Sequence, residues 1–286
     1  MKKVIPKTLF SRRPNTHKGD YGHVLVVAGS IGLTGAPVLC ALSALRSGAG
    51  LVTLAVPESV YFIVASKLTE VMVYPLPESP GGTLSAASLR ILQPLFLKAD
   101  VLALGPGISR MSAASRAVQR IVLQTDLPIV LDADAITAFA GRSRARLRQA
   151  KGAIVITPHP GEMACLLDVS IEAVQRSRVQ TAKKAASELR AVIVLKGYKT
   201  VIASPQGEVY VNQTGNPGMA TAGMGDLLTG MIAGFIGQGC DPFPAAKAGV
   251  YLHGLAGDIA ARRVGQISLV AGDVLNAIPD AFRHSR

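Results

Sequence analysis

Six short segments of the chain are apolar at almost every position, and each runs into a glycine, a proline or a polar residue. They are HVLVVAG (23–29), LVTLAV (51–56), VLALG (101–105), LPIVLDAD (127–134), AIVITPH (153–159) and AVIVLKG (191–197). Strands buried on both faces read this way, so the pattern predicts a parallel sheet covered on both sides. Residues 34–47, 109–124, 135–149 and 170–189 lie between such segments, and each stretch is long enough for a crossover helix. TVIASPQGEVYVN (200–212) differs: two short strand patterns flank Pro205–Gly207, which predicts a hairpin. Helical patterns follow over 225–237, 242–262 and 271–282. The order predicts one α/β domain with a mostly parallel sheet and a helical C-terminal third.

Composition narrows the class. The chain has 286 residues and is 49% hydrophobic, enough for a sizeable core. No apolar run approaches the length of a membrane span. The N-terminus is basic but no apolar segment follows it, so it is not a secretory signal; a short organellar presequence stays open. Cys40, Cys165 and Cys240 are odd in number and far apart, which fits a reducing cytoplasm and neither a disulfide framework nor a zinc site.

The net charge is +12. It is spread over Lys2, Lys3, Lys7, Arg12, Arg13 and Lys18, the alternating Arg142, Arg144, Arg146 and Arg148, and Lys183 and Lys184. With 5% aromatics and no Trp there is little to stack bases on, so no nucleic-acid partner is expected. Solvated basic faces, or attraction of small anions, account for the charge.

In open α/β sheets ligands bind beyond the carboxyl ends of the strands. Those ends carry Gly29-Ser30, Gly105-Pro106-Gly107, Asp132-Ala133-Asp134, Thr157 to Glu162, and Lys196-Gly197. Neither G-x-G-x-x-G nor a P-loop is present, so a nucleotide must be held another way. NPGMATAGMGDLLTG (216–230) offers one. Glycines let backbone N–H groups approach an anion, and a helix start adds unpaired donors and the positive end of its dipole. Asp226 in that bracket is costly beside a phosphate unless it accepts the proton of an attacking hydroxyl. The competing reading is an Asp that only caps the helix.

GNPGMATAGMGDLLTG resembles the C-terminal signature of ribokinase-like kinases. KGDYGHVLVVAGS, TGAPVLCALSALRSGAGLVTLAVP, ALGPGI, LDADAI, ITPHPGEMACLL and VLKGYKT then narrow the resemblance to the NAD(P)H-hydrate dehydratase family. It covers the chain from about Lys18 to about Ile278 and implies a ribokinase-like three-layer α/β/α sandwich over 1–286, with a basic arm at 1–17. Many members carry an epimerase domain in front; this chain starts almost at the dehydratase domain, which implies a stand-alone form. Met224 stands where many relatives have Thr or Ser, and Met is a familiar variant there.

The resemblance implies repair of hydrated NADH or NADPH with Mg²⁺ and a nucleotide, ADP in bacterial-type members and ATP in eukaryotic ones; the bacterial-looking layout favours ADP. Asp226 would be the catalytic base and contact the substrate. Ala36, Gly107 and His159 match substrate-binding positions. Lys196, Gly197, Tyr198, Lys199, Thr200 and Gly225 match nucleotide contacts. Taken alone, Ala36 also reads as a helix-packing residue, His159 as a loop residue and 196–200 as a strand end entering a hairpin. Glu162 reads as structural, and no metal ligand is assigned. The family implies a cytoplasmic homotetramer. A kinase of a small alcohol, such as a thiazole or pyrimidine vitamin precursor, and a non-catalytic nucleotide-binding protein remain the alternatives; free phosphate with recovered reduced nicotinamide would separate the dehydratase from both.

Overall fold

The computed structural model describes residues 4–285. Nine strands form one sheet: β1 (His23–Val27), β2 (Leu51–Pro57), β3 (Met72–Leu76), β4 (Val101–Leu104), β5 (Ile129–Leu131), β6 (Ile154–Ile156), β7 (Val192–Leu195), β8 (Val201–Ala203) and β9 (Val209–Val211). Their order is β3-β2-β1-β4-β5-β6-β7-β8-β9. Pairing is parallel from β3 to β7 and antiparallel for β7–β8 and β8–β9, so the hairpin expected around Pro205–Gly207 extends the sheet. The strand order reverses between β1 and β4, and a crevice opens at such a switch point.

The two-residue period of the strands divides the core. Val24 and Val26 face one apolar layer, while Leu25 and Val27 face the other. The first layer is closed by the helices Gly35–Arg46, Met224–Gly237, Pro242–Val264 and Ala271–His284. The second is closed by Ser88–Phe96, Ser112–Gln124, Pro160–Leu167 and Arg178–Leu189. This is the expected three-layer α/β/α sandwich.

Two helices of the first layer touch through their backbones. A Cβ on Gly230 would lie 2.0 Å from the Cys40 carbonyl oxygen, and one on Gly234 would lie 2.9 Å from that of Ala44. Both helices begin at the carboxyl edge of the sheet, one beside Ala36 and the other at Met224.

Two expectations are corrected, and two elements are added. Residues 135–149 are not one helix: a turn of α-helix at Asp134–Thr137 is followed, beyond Gly141 with its φ of 62°, by a 3₁₀ run at Gly141–Gln149. The alternating arginines leave Leu147 as the buried residue of that run, so no apolar stripe supports an α-helix. Residues 170–189 break at Ser177 into Ile171–Arg176 and Arg178–Leu189, where the Arg178 guanidinium turns in to donate to the carbonyls of Leu195 at 2.9 Å and Lys196 at 3.2 Å. Finally, β3 and the Ser88–Phe96 helix were not anticipated. β3 is a largely exposed edge strand containing Pro75, which an edge tolerates and a central ladder does not.

The basic arm docks through Val4, Ile5, Leu9 and Phe10, while residues 11–15 are exposed; Lys2 and Lys3 lie outside the described residues. Ile5 is buried in the first layer. Phe10 packs edge-on to Phe282, which packs edge-on to Phe235 of the Met224–Gly237 helix. Among the described residues no helix is long and apolar enough to cross a membrane.

Candidate active site

The Met224–Gly237 helix is capped by Gly223 in the left-handed region, with no side-chain cap bond. A Cβ on Gly223 would strike Leu39 at 2.6 Å and Ala271 at 2.9 Å, so the turn requires glycine. Asp226 is therefore not the N-cap. It sits in the first turn, half-buried, and the residues from Leu227 to Gly237 behind it are all buried. Burial first, and then the Asp132 carboxylate, push its pKa up to about 7, against a pull downward from Lys196.

Lys196, at the end of β7, reaches across the strand ends. Its ammonium donates to Asp132 Oδ1 at 2.6 Å and stands 3.6 Å from Glu162 Oε2. Asp132 follows β5, is 1% exposed, and also accepts the Thr157 hydroxyl at 2.8 Å. Burial opposes charge on Asp132, but Lys196 and these hydrogen bonds outweigh it and hold the carboxyl below its ordinary range. Burial likewise works against the charge on Lys196, and Asp132 and Glu162 more than compensate. For Glu162 burial prevails and raises the carboxyl, with Lys196 pulling the other way. A Cβ on Gly225 would lie 3.3 Å from Lys196 Nζ and 3.6 Å from Asp132 Oδ2, so this ion pair abuts the helix start.

At the switch point, the Gly29 N–H donates to the Pro106 carbonyl at 2.8 Å and the Ser30 hydroxyl to the Gly107 carbonyl, also at 2.8 Å. Gly107 has a φ of 67°, and a Cβ there would meet Leu33 at 3.0 Å and Ala36 at 3.3 Å. Ala36 and Gly107, 71 positions apart in sequence, thus form one small-residue wall.

His159 caps the Pro160–Leu167 helix. Its Nδ1 accepts from the N–H groups of Gly161 and Glu162, and Glu162 returns the bond from the His159 N–H at 2.7 Å. The ring is still 53% exposed. Lys196 to Thr200 turns tightly: Lys199 has a φ of 53°, and the Thr200 hydroxyl donates to the Gly197 carbonyl at 3.0 Å. Tyr198 and Lys199 project into solvent.

The site has members that the sequence did not single out. Asp132 and Thr157 lie in strand-end segments recognised as polar, yet their bonds to each other and to Lys196 depend on strand order. Glu162 is structural as a cap, as expected, but also faces Lys196. His253, on the Pro242–Val264 helix, has an Nε2 buried without a hydrogen-bond partner. Burial, helped by Lys196, lowers its pKa to about 4, so the ring is neutral at pH 7. The Cys40 thiol is held protonated by burial and by the nearby carboxylates of Asp226 and Asp132. Among the described residues no group of three or more His, Cys, Asp or Glu could hold a metal ion. Asp132 and Glu162 instead pair with Lys196.

A sheet whose strand-end loops face a glycine-bracketed carboxylate at a buried helix start is a ribokinase-like architecture. The chain belongs within it to the NAD(P)H-hydrate dehydratase family, whose model matches residues 24–280. It is 52% identical over 273 residues to the bifunctional NAD(P)H-hydrate repair enzyme Nnr of Moorella thermoacetica, covering 96% of this chain and 51% of that protein. It is 34% identical over 279 residues to the ADP-dependent (S)-NAD(P)H-hydrate dehydratase of Bacillus subtilis, covering 98% and 95%. The chain therefore spans about half the length of the bifunctional relatives it matches and nearly all of the Bacillus one. The crystal structure of the Bacillus subtilis ADP/ATP-dependent NAD(P)H-hydrate dehydratase, co-crystallised with ATP/Mg²⁺, superposes with a TM-score of 0.81 at 32% identity, over 96% of this chain and 94% of that one.

Proposed function

We propose that the chain is an ADP-dependent (S)-NAD(P)H-hydrate dehydratase that returns hydrated NADH or NADPH to the reduced cofactor. The observation that carries this reading is Asp226: a half-buried carboxylate at a glycine-lined helix start, with a pKa near 7. A base poised near the working pH is suited to receive a proton and release it again.

The chemistry balances as follows. Asp226 takes the proton of the hydrate's hydroxyl as that oxygen bonds to the β-phosphorus of ADP and the bond to AMP breaks. The phosphorylated hydrate then loses phosphate, a far better leaving group than hydroxide; the departing phosphate carries off the proton of the neighbouring ring carbon, and Asp226 releases its own to water. The products are NAD(P)H, AMP and phosphate. The N–H groups around Gly225 and the Lys196 ammonium receive the phosphoryl oxygens, which are negatively charged throughout. Ala36 and Gly107 offer the hydrate a flat wall at the switch point, His159 borders it, and the Lys196–Thr200 turn borders the adenylate. Mg²⁺, for which no protein ligand is assigned, would supply positive charge to offset that of the nucleotide's phosphates. Residues 1–286 would act as one such domain, in a cytoplasmic homotetramer as the family resemblance implies.

Incubating the purified protein with hydrated NADH or NADPH, Mg²⁺, and ADP or ATP in parallel tests the reading. Recovery of reduced-nicotinamide absorbance with release of phosphate is expected, and faster with ADP. Asp226→Asn should lower the rate on the order of 10²- to 10⁴-fold, as loss of a positioned general base does. No consumption of either hydrate with either nucleotide would refute the reading in favour of a small-alcohol kinase.

A further inference from the structure

Lys196 is the cation beside the helix start, yet it does not stand alone in the cleft. Its Nζ is 2.6 Å from Asp132 Oδ1, and the side chain is only 19% exposed. Asp132 is more deeply buried, and the Thr157 hydroxyl fixes it further at 2.8 Å. Removing such a pair from water is expensive, and apolar side chains of the same size often stabilise a fold better. What the pair adjoins is Gly225, and Asp226 follows directly.

We propose that Asp132 is a positioning residue for the reaction: it holds Lys196 so that one buried anion and one buried cation act together on Asp226 and set how readily it takes a proton. This rests on the reading of Asp226 as the base. The titratable and charged groups around Asp226 come from several elements. Asp132 and Asp134 lie after β5, Glu162 on the Pro160–Leu167 helix and Lys196 at the end of β7. The neutral thiol of Cys40 comes from the Gly35–Arg46 helix and the neutral ring of His253 from the Pro242–Val264 helix. The carboxylates raise the proton affinity of Asp226 and Lys196 lowers it. Asp132 and Lys196 oppose each other, and Asn at position 132 removes the anion while its amide oxygen still accepts from Lys196, so Asp132→Asn and loss of Lys196 should have opposite consequences.

The test is the pH profile of kcat/KM for the hydrate. The acid limb of the unmutated protein should lie near pH 7. Asp132→Asn should move it to lower pH and Lys196→Met to higher pH, each by about one unit, the effect of a charge at close range. At the foot of the limb that is about a tenfold difference in the active fraction. A structural role would lower activity and leave the limb in place. Limbs that stay put, or that move in the same direction, would overturn the proposal. If either variant fails to fold, Asp132→Ser and Lys196→Gln carry the same expectation. Carboxyl-carbon NMR titration of Asp226 repeats the comparison without substrate. A protein that consumed no hydrate would thus refute the dehydratase reading while leaving this one open to its own result.

Discussion

His159 and Glu162 cap each other: the His159 N–H donates to Glu162 Oε2 at 2.7 Å, and the Glu162 N–H donates to His159 Nδ1 at 3.2 Å. The ring therefore starts a helix and also borders the cleft. Replacement by Asn separates the two tasks, because Asn caps well but has no imidazole. His159→Ala should cost about 1 kcal/mol of stability and raise KM for the hydrate more than KM for ADP. His159→Asn should restore the stability and leave KM for the hydrate high. Full recovery of both in thermal melts and steady-state kinetics would make His159 a cap alone.

The raised pKa of Asp226 has a consequence for stability. A carboxyl that titrates near 3.8 when unfolded and about 7 when folded binds its proton more tightly in the native state. The stability it contributes is fully present below the unfolded value and is lost as pH rises through the folded one. Asp226→Asn should therefore melt at about the same temperature as the unmutated protein near pH 4 and higher at pH 8. The difference should be on the order of 2–4 kcal/mol, the lower figure allowing for solvent in the open cleft. Equal melting temperatures at pH 8 would mean that Asp226 is ionised at little cost.

Gly225 is in the helix with an ordinary φ, so a side chain there meets no forbidden dihedral. Its constraint is space, since a Cβ already lies 3.3 Å from Lys196 Nζ. Gly225→Val should displace the ammonium, cover the N–H groups and weaken ADP at least several-fold while the fold persists. Calorimetric titration with ADP, alongside the circular dichroism of the variant, would check it; an unchanged isotherm would move the phosphate site elsewhere.

The Thr200 hydroxyl closes its own loop by donating to the Gly197 carbonyl. Thr200→Val keeps the volume and removes the bond, worth about 0.5–1.5 kcal/mol. The turn should loosen and KM for ADP rise several-fold, with KM for the hydrate nearly constant. Varying each substrate in turn would reveal a shift on the wrong side.

The strands were legible because parallel, doubly covered strands leave continuous apolar runs, and Asp226 was legible because it interrupts such a pattern beside glycines. The weak edge strand β3 left no such run. Lys196 and Asp132 were each visible as strand-end residues, but their bond spans 64 positions and exists because β5, β6 and β7 are neighbours. No local spacing encodes it. The signal available was coarse: LDAD, TPHPGE and LKG all end strands at the same edge. His253 gave less still, a lone imidazole on a long helix rich in alanine and glycine.

The glycine contacts between the Gly35–Arg46 and Met224–Gly237 helices bear on how the cleft can move. Each helix carries one shore of it, Ala36 on one and Gly225 on the other. With Gly230 against the Cys40 carbonyl and Ser43 Oγ, and Gly234 against the Ala44 carbonyl and Ser47 Cβ, the helices meet at backbone and short side chains that have little room to rearrange. The helices cannot slide past each other as shear motions require, and the gap between the two shores is a fixed gauge. Any closing over a bound pair of ligands falls to the loops, among them the Lys196–Thr200 turn, which is exposed at Gly197, Tyr198 and Lys199.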